Sequence, residues 1–293
     1  MTKKRPSRTK TRPSRTKTRP SRNKKRPSRT KKRPSRTKRN IPESEDYVCA
    51  IPSYGRWTEI TAKTLPCLKK GKVPREKIYV FVATKKEEKL YRDTLDPATY
   101  GEIIIGKKGL VQQRKYISQY FPENTHIVSM DDDVQNVVRL KKDKLVKITN
   151  LDTFFRKSFR QLQAADLYLW GVYPCKNNMF MKNNVTTDLR FAIGVIHGYI
   201  NRHDPSLYPS LKSVSKEDYE QTILFFIKDK GVMRFNDIAF TTVFNAPGGL
   251  GTDRYQMNKS AQEYLCKKYP MIVKPKFRKD GTPEVTLNRN PEL

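Results

Sequence analysis

The chain has 293 residues, 36% of them apolar, with 61 Lys and Arg against 29 Asp and Glu and a formal net charge of +32. That apolar content over that length supports a real core and excludes a chain that is disordered throughout. No apolar run approaches ~18 residues and no apolar h-region follows the basic start, so the sequence reads as a soluble intracellular protein with neither a membrane span nor a secretory signal.

The excess charge is concentrated at the start. Residues 1–40 hold 20 Lys and Arg and no acid, which leaves +12 on the rest of the chain. From Arg5 to Arg39 a seven-residue unit, RPSRTKT and close variants, recurs five times. Each unit has a proline that blocks a helix and no large apolar side chain to offset ordering entropy, so residues 1–40 are expected to be a disordered tail and 41–293 the folded domain. Such a run of like charge seeks polyanions, because each neutralised phosphate releases counterions, and nucleic acid is the partner expected for it. Cys49, Cys67, Cys175 and Cys266 lie far apart without metal-type pairing and are expected to be reduced core or near-core thiols.

From Tyr47 apolar runs alternate with helical spacing. YVCAIP (47–52) reads as a strand, and WTEITAKTLPCLKKG (57–71) as a helix carrying Ile60, Leu65 and Leu68, interrupted by Pro66. KIYVFVA (77–83), EIIIG (102–106) and THIVSM (125–130) read as further strands, with helices over 87–95 and 110–121 between them. A β-α-β-α-β-α-β order with continuous apolar strands predicts an α/β fold: a Rossmann-type, mostly parallel sheet flanked by helices, with ligands gathering outside the carboxyl ends of the strands.

HIVSM runs directly into Asp131, Asp132 and Asp133 at that ligand-binding edge. Adjacent carboxylates repel and are costly to desolvate, a conflict that a bound cation removes; hard oxygen ligands suit Mg²⁺ or Mn²⁺ with phosphates and water completing the shell. On an extended chain Asp131 and Asp133 point the same way and Asp132 the other. The Ser53-Tyr54-Gly55-Arg56 loop leaves the first strand at the same edge and offers a hydroxyl, a ring and a guanidinium to a nucleotide. Gly106-Lys107-Lys108-Gly109 feeds a helix N-terminus suited to an anion, with Arg114 about one turn in.

The second half is less regular. Residues 149–165 read as a helix, 166–174 and 189–200 as strands, and 215–231 as an amphipathic helix with Tyr219, Ile223, Phe226 and Ile227 on its apolar face. Glu217 and Asp218 in its first turn have two readings: ordinary helix-start acids with Ser215 as N-cap, or a general base within reach of an acceptor hydroxyl. Further strand is expected over 234–244, then a glycine-rich NAPGGLGTDR (245–254) plausible as a lid, a short helix over 259–269, and an extended basic end whose Lys274, Lys276, Arg278 and Lys279 interleave with Phe277.

Taken in order, IPSYGR, KTL, VFVA, GLVQQRKYI, MDDDV, KEDY and PGGLGTDR resemble the glycosyltransferases of the GT-A fold, and more narrowly the TET-associated glycosyltransferase family of phages and large DNA viruses. The resemblance spans roughly 47–255. It implies a nucleotide-sugar donor, a divalent metal (Mn²⁺ or Mg²⁺), and for the narrower family a hydroxymethylated pyrimidine in DNA as acceptor. It also implies an intracellular setting in host cytoplasm or nucleus, or in a virion. The aspartate triplet matches the DxD-type motif, with Asp131 and Asp133 as metal ligands and Asp131 and Asp132 toward the donor. Ser53 and Arg56 match the donor-base loop, and Gln113 and Arg114 the helix beside the diphosphate. Asp218, with Glu217, matches the acidic motif that supplies the base in inverting members. Many GT-A enzymes take a further metal ligand from a histidine near the C-terminus; here His126, His197 and His203 all precede Glu217, so Asp253, another carboxylate or water must substitute. A transferase acting on protein or surface glycan and a nucleotidyltransferase on a related sheet are the alternative readings.

Overall fold

The computed structural model describes residues 46–242 and 253–292. The basic repeat and residues 245–252 of the glycine-rich stretch lie outside the described residues. Strand β1 (Val48–Pro52) leads to two short helices, α1 (Trp57–Ala62) and α2 (Thr64–Lys70), then β2 (Ile78–Val82), α3 (Lys85–Thr94), β3 (Glu102–Ile105), α4 (Leu110–Tyr120) and β4 (His126–Met130). The alternation expected from the apolar runs is therefore present. The helical stretch 57–71 breaks at Lys63, whose φ of −124° and ψ of −74° are not helical. Pro66 falls in the first turn of α2, where its missing N–H has no helical partner to lose, so Leu65 and Leu68 still reach the core.

After β4 come the hairpin β5 (Asn136–Lys141) and β6 (Lys144–Lys147), helix α5 (Leu151–Ala164), strands β7 (Leu169–Val172), β8 (Val185–Thr186) and β9 (Ile196–Ile200), helix α6 (Glu217–Asp229), strands β10 (Met233–Phe235) and β11 (Ile238–Thr241), helix α7 (Arg254–Lys268), and the hairpin β12 (Val273–Phe277) and β13 (Pro283–Leu287). The central sheet has eight strands in the order β3-β2-β1-β4-β9-β7-β10-β8. β3, β2, β1 and β4 are mutually parallel, as are β7 and β10, and β9 runs antiparallel to both of its neighbours. β11, β5 and β6 form a separate three-stranded sheet. This is an α/β fold with a mostly parallel sheet flanked by helices.

Two features of this topology build the edge that matters. The carboxyl ends of β1 and β4 lie side by side, with Ala50 paired to Ser129, so Ser53 and Asp131 emerge together. Because β9 is reversed, its first residue, Ile196, pairs with Met130, which delivers the segment before β9 to the same edge. That explains why 189–200 is strand only from Ile196 onward. Its first half leaves the sheet and binds the site, the Asp131 amide donating to the Val195 carbonyl at 2.9 Å. On the opposite side of β9, Gly198 lies under Trp170, and a Cβ there would stand 2.3 Å from the indole. The absence of a side chain lets Trp170 close the core with Phe154, Phe155, Phe159 and Phe235.

Helix α6 departs from its sequence reading. Its N-cap is Lys216, and Ser215 instead donates its hydroxyl to the Met257 carbonyl. Its buried face holds Glu217, Glu220, Ile223 and Phe225, whereas Ile227 is exposed. Polar groups can be buried there because partners meet them: the Glu220 carboxylate accepts hydrogen bonds from Ser213, the Ser210 amide, Tyr264, Tyr269 and Lys268. Among the cysteines, Cys49 and Cys67 are buried thiols as expected; Cys175 is exposed.

Candidate active site

The aspartate triplet does not continue strand β4; it forms a turn between β4 and β5. Strand alternation therefore does not apply, and the carboxylates group as Asp132 with Asp133 against Asp131 instead of Asp131 with Asp133 against Asp132. Asp132 and Asp133 share Arg56, at 3.4 and 2.7 Å, while Asp131 meets Arg114 at 3.2 Å. Thr64, fully buried at the start of α2, staples the turn: its hydroxyl donates to the Asp131 carbonyl (2.8 Å) and accepts from the Val134 amide (2.9 Å). Thr64→Val removes the hydroxyl and leaves the Asp131 carbonyl and Val134 amide without it, which should cost about 1–3 kcal/mol in urea unfolding, with a parallel loss of turnover.

On the β1 side, Ser53 donates to Asp132 Oδ2 at 2.7 Å and lies 2.7 Å from the Tyr91 hydroxyl, which also accepts from the Arg56 amide. Ser53 is buried, so its hydroxyl orients Asp132 within the protein. Thr242, at the end of β11, donates to Asp133 Oδ1 at 2.7 Å, and this bond ties the small sheet to the site. Gln113 is likewise internal. Its Oε1 accepts from the Lys107 amide (2.6 Å) and its Nε2 donates to the Val82 carbonyl (3.2 Å), pinning the loop that enters α4 to the end of β2.

On the other side of Asp131 opens a cavity of about 270 Å³, lined among others by Asp131, Arg114, Glu217 and Asp218. Arg114 is its hub. Its guanidinium donates to Glu217 Oε1 at 2.5 Å, to the Gly194 carbonyl at 2.9 Å and to Asp131 Oδ1. A Cβ on residue 194 would stand 2.7 Å from that guanidinium, so glycine is what permits the approach. Glu217 is thus consumed by Arg114, whereas Asp218 accepts from the Gly194 amide and its own following amide, each at 3.0 Å, and lines the cavity. Arg254 and Arg278, neither of which the sequence reading placed at the site, also line this cavity, Arg278 paired with Glu284 at 2.6 Å.

The carboxyls form two adjoining groups: Asp132 and Asp133 with Arg56, and Asp131 and Glu217 with Arg114, Asp218 lining the cavity beside the latter. Burial pushes Asp131 up to about 6 and Asp132 up to about 7; Arg114 and Arg56 respectively offset this, and the neighbouring carboxylates add to it. Burial raises Glu217 and Asp218 as well. Hard carboxylate oxygens of this kind suit a divalent cation; Asp131 lines the cavity, whereas Asp133 does not, its two oxygens being engaged by Arg56 and Thr242. Among the described residues, no group of three His, Cys, Asp or Glu side chains is arranged to hold a metal. Asp253 precedes α7 and lines a neighbouring cavity with Ser215 and Met257.

His197, on β9, is buried beside this hub. Burial and the nearby Arg114 charge lower its pKa from 6.5 to about 3, and its ring nitrogens face the backbone of Ile193 and Gly194 without a well-aligned hydrogen bond. Between those two values the unfolded chain binds the proton that the folded chain refuses. The stability associated with neutral His197 is therefore complete above pH 6.5 and falls by about 1.4 kcal/mol per pH unit as pH drops toward 3. The raised carboxyls nearby titrate in the opposite sense, so the contribution is read as a difference: by chemical denaturation the parent should lose about 1.4 kcal/mol per pH unit relative to His197→Phe between pH 6 and pH 4.

No protein-family model and no curated protein sequence matches the chain. Solved structures with a similar chain path include residues 1–349 of S. aureus TarS, 13% identical over 76% of this chain and 72% of that one, with a TM-score of 0.44. A mannosyltransferase from Pyrobaculum calidifontis in complex with GDP-Man and Mn²⁺ is 12% identical over 79% of this chain and 67% of its own, with a TM-score of 0.48. GalNAc-T7 with UDP, GalNAc and Mn²⁺ is 9% identical over 75% and 47%, with a TM-score of 0.49.

Proposed function

We propose that the chain is a metal-assisted glycosyltransferase of the GT-A type, moving a sugar from a nucleotide-sugar donor to a hydroxymethylated pyrimidine in DNA. The observation that carries this reading is the convergence of Asp131, Arg114 and Asp218, from three separate parts of the sequence, on one cavity at the carboxyl edge of the parallel strands. A divalent cation held by Asp131 and Asp133 would neutralise charge on the diphosphate leaving group.

The chain's own residues supply the rest. Arg114 fixes Asp131 and Glu217 relative to one another, and Arg254 and Arg278 add guanidiniums to the lining of the same cavity. Asp218, held by two backbone amides, accepts the proton of the attacking hydroxyl. The acceptor oxygen bonds to the anomeric carbon as that carbon's bond to the phosphate oxygen breaks, and the nucleoside diphosphate leaves with the electron pair. Ser53, Gln113 and Glu217 act as positioning residues. The DNA acceptor draws its support from the basic repeat of residues 1–40 and from the narrower family resemblance.

The test is product analysis. The full chain with a panel of nucleotide sugars and Mn²⁺ or Mg²⁺ should release a nucleoside diphosphate and add one sugar mass to hydroxymethylated nucleosides in DNA. Release of pyrophosphate would overturn the transferase chemistry, and transfer only to protein or glycan would overturn the acceptor.

A further inference from the structure

A second basic surface lies away from the carboxylates. The stretch 136–160, which forms β5, β6 and the start of α5, carries eight Lys and Arg against two acids, Asp143 and Asp152. Asp152 is already committed, to Arg156 at 3.0 Å and to the Tyr47 hydroxyl at 2.9 Å. Between the hairpin and α5 is a concave cavity of about 340 Å³ lined by Lys141, Lys147 and Lys157 together with Arg139. Arg139 has a partner in Asp237 at 3.3 Å. The three lysines are exposed and have no acidic partner among the described residues. Thr149, Thr153 and Gln161 add neutral hydrogen-bonding groups to the same walls.

We infer that this cavity is a docking site for the phosphate backbone of a nucleic acid. Three unpaired ammoniums around a concavity provide the electrostatic attraction, and hydroxyl and amide groups at its walls are the kinds that meet phosphate oxygens. Residues 1–40 cannot complement it, because their 20 Lys and Arg have the same sign. A flat bilayer fits a concave, polar-lined surface poorly, Val146 being the one exposed large apolar side chain among its lining residues. β5 begins three residues after Asp133, so Lys141 lies at most about 26 Å along an extended chain from the carboxylate turn, less than one ~34 Å turn of duplex. One duplex can therefore span both places. The inference stands independently of the donor chemistry.

The experiment is lysine-acylation footprinting of the full chain with a 30-base-pair duplex, read by mass spectrometry, beside binding isotherms at several salt concentrations. Lys141, Lys147 and Lys157 should become at least about threefold less reactive on binding, with protection lost as salt rises. The variant K141A/K147A/K157A should make the slope of log Kobs against log salt shallower by about 2.7, at 0.9 per phosphate contact. Donor turnover on a small hydroxyl acceptor, read separately, should stay unchanged, so a failed transferase reading and a failed docking site remain distinguishable. Unprotected lysines in a chain whose tail lysines are protected, or an unchanged salt slope, would overturn the inference. Protection by phosphatidylserine vesicles but not by duplex would also overturn it, an outcome given a route by exposed Met179 and Phe180 on the loop joined to the hairpin through Asn178 and the Asp143 carbonyl.

Discussion

Arg114→Met should destabilise the folded chain by about 3–5 kcal/mol at neutral pH and abolish turnover. The cost arises because the guanidinium is the shared partner of Glu217, Asp131 and the Gly194 carbonyl, and removing it leaves buried negative charge without compensation. The pH dependence separates this cause from simple loss of packing. Burial already raises Glu217, and without Arg114 it rises further, so the carboxyl takes up a proton as pH falls and the penalty shrinks. Denaturant unfolding of variant and parent at pH 7.5 and pH 5 should therefore show a smaller difference at the lower pH. Arg114→Lys keeps one charge but cannot reach three acceptors at once, and should recover part of the stability with little of the activity.

Asp218→Asn should lower kcat by about 10²–10⁴-fold while leaving the apparent affinity for donor within a few-fold. The amide preserves volume and one acceptor oxygen, so one of the two backbone bonds at Asp218 survives, but it cannot take a proton from the acceptor. Glu217→Gln provides the contrast. It retains a hydrogen bond to Arg114 but loses the charge that balances it, so its effect should appear first in stability and in donor KM. Steady-state kinetics of the two variants side by side checks this division of roles, which the sequence left as a choice between neighbours.

The alternating first half was legible because its strands are buried on both faces and hence apolar without interruption, as in Val48–Pro52 and Ile78–Val82. The hairpin β5–β6 was not, because its strands are half exposed and rich in lysine, so NVVRLKKDKLVK lacks the apolar density that marks a strand. The reading of 189–200 as one strand failed for a related reason: apolar residues there serve the sheet after Ile196 and the cavity wall before it. The position of the aspartates at a strand end was readable from order alone. Their orientation was not, since period-two alternation holds only while the chain stays extended, and Thr64 and Thr242 bend and anchor it from distant parts of the sequence. Partnerships of this kind, including Arg114 with Glu217 across 103 residues, leave no local pattern.

Mn²⁺ binding, followed by the loss of free-ion electron paramagnetic signal with and without a nucleoside diphosphate, bears most directly on the role given to the aspartate turn. The full chain should bind one Mn²⁺ weakly alone and at least tenfold more tightly with the diphosphate present, and Asp131→Ala/Asp133→Ala should lose this enhancement while keeping its fold by circular dichroism. Enhancement that survives in the double variant would contradict the assignment of the cation to that pair.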